Sequence, residues 1–134
     1  MNIYKIKPGI SIGPIQIGMG ANEVMELWGK PQSIHGNRWM YHDGFFIDYG
    51  EYNKVEFIEI GKSNKYSIVL DGHDLHKTNA NKAIEIVSKF DDYDRNESDL
   101  GFGYVFKKIQ ISLWRGSIEM EFFEAIGQAA PRYF

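Results

Sequence analysis

The chain contains no cysteine, which excludes a disulfide framework, a thiolate metal centre and a thiol nucleophile. It also lacks any apolar run near the roughly 18 residues a membrane-spanning helix needs, so no span is expected. Behind the opening "MNIYKIKPGISIG" there is no apolar stretch of secretory type. A cytoplasmic protein without membrane association is expected. Basic excess is missing too: 15 Lys and Arg against 18 Asp and Glu leave a net charge of −3. Nucleic-acid binders draw most of their affinity from a basic stripe on phosphates, and the scattered lysines here argue against that class.

What the chain has in abundance is aromatic surface. Eight Tyr, nine Phe and three Trp make up 15% of 134 residues, a density suited to antiparallel strands with a large packed face. The length suits one domain, residues 1–134, with a real core.

Two segments carry helical periodicity. In the first, Val24, Leu27 and Trp28 recur at helical spacing behind Gly20 as N-cap, with Glu23 placed for the first-turn amides. Gly29 and Pro31 end it after about two turns. In the second, "NANKAIEIVSKF", Asn79 is the N-cap and Ala83, Ile84, Val87 and Phe90 form the expected buried face. Laid over one another with Gly20 on Asn79, the two helices match Trp28 to Val87 and Glu26 to Glu85, which suggests an internal repeat. After each helix come strand-like runs. "NRWMYHDGFFIDYG" holds the hairpin signal Asp43-Gly44 and leads to "KVEFIEIG"; "GYVFKKIQISLWR" leads to "SIEMEFFEAIG". The expected fold is α+β: two helix-then-antiparallel-strand repeats, 10–61 and 66–127, forming one sheet with two helices packed on one face.

The glycine-rich "GPIQIGMG" has neither the dinucleotide spacing nor a Gly-Lys-Ser/Thr ending, so a strand and a tight corner fit it better than a phosphate cradle. The full stretch "IGPIQIGMGANEVMELWGKP", residues 12–31, resembles the signature I-G-x-I-x-x-G-M-S/T-x-x-E-V/A-x-x-x-x-G-x-P. That signature belongs to small bacterial helix-then-sheet proteins: the SmpA/OmlA-like lipoproteins and proteins with the fold of β-lactamase inhibitory protein. Gly20 stands where the signature has Ser or Thr. The resemblance implies a fold that works by binding another protein, and its cytoplasmic members include immunity proteins that neutralise a toxin. On that basis the expected function is an immunity or antitoxin protein, with no enzymatic activity and no cofactor. The alternatives are a small metal-dependent enzyme using the Asp71–His76 turn, or an assembly factor.

"LDGHDLH" places His73 and His76 at i, i+3 between Asp71 and Asp74, a pairing zinc accepts on a helix. In a glycine-containing turn without a third ligand it reads as scaffold, with an Asx-type bond from Asp71 or Asp74. "DDYDRNESDLGFG" has Asp92, Asp94 and Asn96 at the first ligand positions of a calcium loop, but Glu97 replaces the sharp-turn glycine. The same run, with Asp91 and Asp99, makes a negative patch around Tyr93 that would steer a basic partner such as a toxin. Asp92, Tyr93 and Asp94 are therefore candidate contact residues. Trp39, Tyr41, Tyr49 and Trp114 join them, because helices can cover only one sheet face and exposed Trp and Tyr are typical hot spots. No nucleophile–base pair is legible, and Glu119 and Glu121 read as the solvent side of a strand.

Overall fold

The computed structural model of the chain describes residues 2–134. In chain order it forms β1 (Asn2–Lys7), β2 (Ser11–Ile12), β3 (Ile15–Gln16), α1 (Ala21–Trp28), β4 (Ser33–His35), β5 (Arg38–Met40), β6 (Phe45–Tyr49) and β7 (Val55–Gly61). It continues with β8 (Tyr66–Leu70), β9 (His73–Asp74), α2 (Ala80–Ser88), β10 (Gly103–Phe106), β11 (Ile111–Trp114) and β12 (Ala125–Ala129). The fold is α+β, with two helices and mostly antiparallel strands.

There are two sheets where one was expected. The larger has seven antiparallel strands in the order β10-β11-β12-β7-β6-β5-β4. The smaller runs β3-β2-β1-β8-β9, with β1 and β8 parallel. The second sheet escaped the sequence reading because β1 alternates weakly: only Ile6 of "NIYKIK" is buried. "GISIGPIQIG" is likewise a small hairpin of β2 and β3 rather than a single strand. Gly13 takes φ +56° at its corner, and a Cβ there would stand 2.5 Å from the Tyr4 ring. The glycine serves the fold.

Two-residue turns set the register of the larger sheet. Asp43 and Gly44 both have positive φ, 57° and 71°, and the Phe45 N–H donates to the His42 carbonyl, which is the type I′ hairpin expected at that dipeptide. Tyr52 and Asn53 (φ 59° and 51°) repeat this geometry between β6 and β7 without any glycine. Asp71-Gly72 (φ 51° and 79°) does the same between β8 and β9.

The helix caps follow chemistry. The Gly20 N–H donates to Glu23 Oε1 at 3.2 Å, and the Asn79 side chain accepts from the Asn81 N–H at 3.0 Å. Ala21, Val24 and Trp28 are the buried positions of α1, whereas Leu27 lies to one side of their arc and is 52% exposed. In α2 the buried set is Ala80, Ala83, Ile86 and Val87; Ile84 is only half-buried, and Phe90, beyond the last turn, is exposed. These helical residues share one core with Phe45, Ile47, Ile58, Ile60, Leu113 and Ile126 of the larger sheet and with Ile12 and Ile68 of the smaller.

One expected strand is absent. Residues 115–124 form a loop, so Glu119 and Glu121 do not alternate along a strand. Buried Arg115 explains this: its guanidinium donates to the carbonyls of Gly101 (2.9 Å) and Met120 (2.8 Å) and draws the chain into a turn. The Gly116 N–H donates to Glu124 Oε1 at 2.7 Å and closes it.

Candidate functional site

Strand register sorts the larger sheet into two faces. Phe45 pairs with Ile60 and Ile47 with Ile58, and these point into the core. One residue on, Phe46 pairs with Glu59 and Asp48 with Phe57 on the opposite face. The ladder β7–β12–β11–β10 extends that second face through Gly127, Ser112 and Val105, and through Trp114 opposite Gly103.

On this second face lies a groove of about 260 Å³. Phe57, Trp114, Tyr133 and Phe134 supply its aromatic walls, and Glu59, Glu97 and Asp99 bring carboxylates to it. Lysine, arginine and histidine are absent from the residues that line it. The groove owes its shape to two glycines. A Cβ on Gly127 would stand 2.6 Å from the Phe57 ring, so the missing side chain lets that ring lie over the sheet. Tyr133 then stacks on Phe57 at 4.9 Å between centroids, with planes 13° apart, and its hydroxyl donates to Asp48 at 2.9 Å. Burial, followed by the Asp48 bond, raises the Tyr133 hydroxyl pKa above its ordinary value. Gly103 leaves space beside Trp114, whose ring atom Cδ1 lies 3.5 Å from where a Cβ would be. Trp114 remains 47% exposed.

Next to the groove, Arg38 neutralises part of the same face. It reaches Asp48 at 3.2 Å and Glu59 at 2.6 Å, and its guanidinium lies 4.4 Å from the Phe46 ring centroid. Among the described residues neither Glu97 nor Asp99 has a cation within ion-pair distance, although Glu97 is close enough to Lys107 to help raise that ammonium's pKa. Their backbone carbonyls hold the loop, accepting from Leu100, Phe102 and Gly103, and both residues line the groove.

Of the candidate contact residues, Trp114 alone meets the groove. Tyr41 and Tyr49 are corrections: they are fully buried, and their hydroxyls share a 2.7 Å hydrogen bond. Burial raises both phenol pKa values. Neither presents a surface. Trp39 is half-buried on the core side, edge-on to Tyr49 at 4.6 Å, because it pairs with Ile47 and not with Phe46.

Part of the aspartate patch is paired within the chain. Asp92 accepts from Arg95 at 2.7 Å, Asp94 pairs with Lys107 at 3.0 Å, and Asp91 accepts from the Lys108 N–H at 2.8 Å. Arg95 holds the Asp92 carboxyl below its usual range, and the Asn96 N–H, with Lys107, does the same for Asp94. Tyr93 is half-buried against Tyr104 and Phe106 and carries Arg95 over its ring at 4.2 Å. Asp92 and Asp94 are therefore offset from within, while Glu97 and Asp99 of the same run have no ion pair among the described residues.

At the Asp71–His76 turn the two imidazoles part. His73 is exposed, while His76 is buried with Nε2 3.1 Å from the Ile60 carbonyl. Asp74 Oδ1 accepts from the His76 N–H at 3.0 Å, the expected Asx bond. Among the described residues no three His, Asp or Glu side chains gather as a metal site. A larger concavity of about 540 Å³ lies beside Lys62 and the 120–124 loop, where Lys62 Nζ is 5.9 Å from the Phe122 ring centroid.

No known protein family, curated protein or solved structure matches the chain. The resemblance over residues 12–31 rests on those residues alone. Among the described residues no helix is long and apolar enough to cross a membrane.

The sequence reading missed Phe57, Tyr133, Phe134, Glu97 and Asp99 as one surface. A signal was present in "ISLW": Ile111 and Leu113 share the core face, so Trp114 falls with Ser112 on the polar side of an alternating strand. The alternation thus places this tryptophan on the face away from the core.

Proposed function

We propose that the protein acts by binding another protein on the second face of its larger sheet, and that the partner is a toxin whose action the complex blocks. The observation that supports this best is the aromatic groove around half-exposed Trp114 on a sheet face away from the core. Docking there needs no catalytic group. The immunity reading adds the resemblance of residues 12–31, and with it the view that 10–61 and 66–127 are two related halves meeting where β12 pairs with β7. A cytoplasmic setting and a partner richer in basic groups than this chain belong to the same reading.

The test is co-expression with the product of each neighbouring reading frame, a toxin being recognised by its arrest of growth when expressed alone. Growth should be restored, and the purified pair should co-elute as a complex. Trp114→Ala should weaken the complex by about 2 kcal/mol, as an interface hot spot does, while leaving the melting temperature nearly unchanged. If no neighbouring product binds, or if Trp114→Ala binds as the parent does, the reading is overturned.

A further inference from the structure

We propose that the groove beside Trp114 receives an arginine side chain of the partner. This rests on the protein-binding reading above and specifies its chemistry. The groove combines a half-exposed indole with Glu97 and Asp99, and none of its lining residues is cationic. Nearby cations make their ion pairs elsewhere: Arg38 with Asp48 and Glu59, Lys107 with Asp94, and Arg95 with Asp92, although Lys107 also acts on Glu97 at longer range. Asp99 lies next to the indole, since its Cβ is 3.9 Å and Trp114 Cδ1 3.5 Å from the same point above Gly103. A carboxylate such as Asp99, with no cation at ion-pair distance among the described residues, beside an exposed aromatic face forms a surface whose complement is positive, flat and partly apolar.

A guanidinium meets all three demands. It stacks on an indole, for which tryptophan is the best partner, and it offers a rigid fork of donors to carboxylates. An ammonium would satisfy the charge but not the plane, and it is more strongly hydrated. An uncharged apolar side chain would leave Glu97 and Asp99 desolvated against nothing.

The probe is a capped Gly-Arg-Gly peptide, titrated at low salt while the Trp114 indole N–H is followed by NMR. Capped Gly-citrulline-Gly, equal in shape but neutral, and capped Gly-Lys-Gly serve as controls. The arginine peptide should shift the Trp114 indole saturably and the lysine peptide should bind several-fold more weakly. The citrulline peptide should shift it little. The paired change Glu97→Gln with Asp99→Asn should weaken arginine binding about tenfold, in keeping with close charge pairs, and the effect should shrink in high salt. Equal binding of citrulline, shifts confined to other tryptophans, or an affinity unchanged in the paired variant would each overturn the proposal. The two readings fail separately. If the toxin complex depends on Trp114 but ignores Glu97 and Asp99, the arginine site is wrong and the protein-binding reading stands. If the peptide binds as expected but no toxin does, the reverse holds.

Discussion

The two faces of the larger sheet draw on the same aromatic residue types and use them in opposite ways. On the core face, Tyr41 and Tyr49 are closed off and spend their hydroxyls on each other, and the Trp28 indole N–H donates to the Tyr4 hydroxyl at 3.2 Å. On the other face Trp114 and Tyr133 are 47% and 37% exposed. The difference does not follow from residue type. It follows from which residue stands across the ladder: Trp39 faces Ile47 and is drawn inward, while Trp114 faces Gly103 and Ala125 and is left out.

The sharpest way to break this comparison is to truncate one anchor on the core side. Trp28 packs its indole within 5.6 Å of the Tyr41 ring and 5.2 Å of the Phe45 ring and ties α1 to the sheet. Trp28→Ala should cost about 3–5 kcal/mol, as large core truncations do. Urea titration measures it, and a midpoint equal to the parent's would show that α1 is not held through this residue.

A smaller effect is expected on the outer face, where a residue must be added to do harm. Gly127→Ala places a methyl against the Phe57 ring and the Ser112 hydroxyl. Overpacking of this kind costs about 1–3 kcal/mol. It should also tilt Phe57 and unstack Tyr133, so aromatic ring signals of both residues should shift in NMR spectra. Lost stability without those shifts would mean that strand pairing, and not the ring, carries the cost.

Legibility tracked the range of the interactions involved. Helix caps at Gly20 and Asn79 and the Asp43-Gly44 turn depend on neighbours within a few residues, and all were readable. The parallel pairing of β1 with β8 joins Asn2 to Tyr66, a contact that no local pattern signals. The 115–124 loop read as a strand because "SIEMEFFEAIG" alternates, yet the Arg115 bond to Met120 overrides that alternation. The groove was the least legible feature, since Tyr133 reaches it only by folding back onto Phe57 from the far end of the chain. The charged loop misled for a related reason: its aspartates form a run in sequence, but Lys107, which answers Asp94, arrives from the turn after β10.

Buried His76 gives a third, pH-dependent contrast with the exposed face. Burial lowers its pKa below 6.5, outweighing the opposing pull of Asp74 and the backbone oxygens of Ile60 and Glu124, while Lys62 adds to the lowering. The unfolded chain therefore takes up this proton before the folded chain does as the pH falls. Stability from this group is full above about pH 6.5 and declines in the window below it, down to the folded-state value. Melting temperatures measured from pH 7.5 to 5 should fall across that window. His76→Gln should keep a donor toward the Ile60 carbonyl and flatten the decline; an equally steep decline in the variant would assign it to other groups.

The smallest effects belong to the aspartate loop, and they separate its inner members from its outer ones. Asp92 and Asp94 are each offset by a cation at 2.7 and 3.0 Å, whereas Asp99 lines the groove and has no cation at ion-pair distance among the described residues. Surface pairs of this kind contribute little to stability, so Asp92→Asn and Asp94→Asn should barely move the melting temperature. Asp94 nevertheless accepts from the Asn96 N–H at 2.9 Å, and its own N–H donates to the Val105 carbonyl at 2.8 Å. Asp94→Asn removes the Lys107 ion pair and should speed amide exchange at Asp94 and Asn96, while Asp92→Asn should leave both slow. Association kinetics with the partner then decide what the loop does. Each variant removes one unit of negative charge, so through the long-range field alone Asp92→Asn and Asp99→Asn should slow association of a basic partner to a similar, small extent. Asp99→Asn should also speed dissociation, because Asp99 lines the groove where the partner's cation docks, whereas Asp92→Asn should leave the off-rate unchanged. Equal off-rates in the two variants would mean that the acidic run only steers the partner and that the groove has no special claim on its charge.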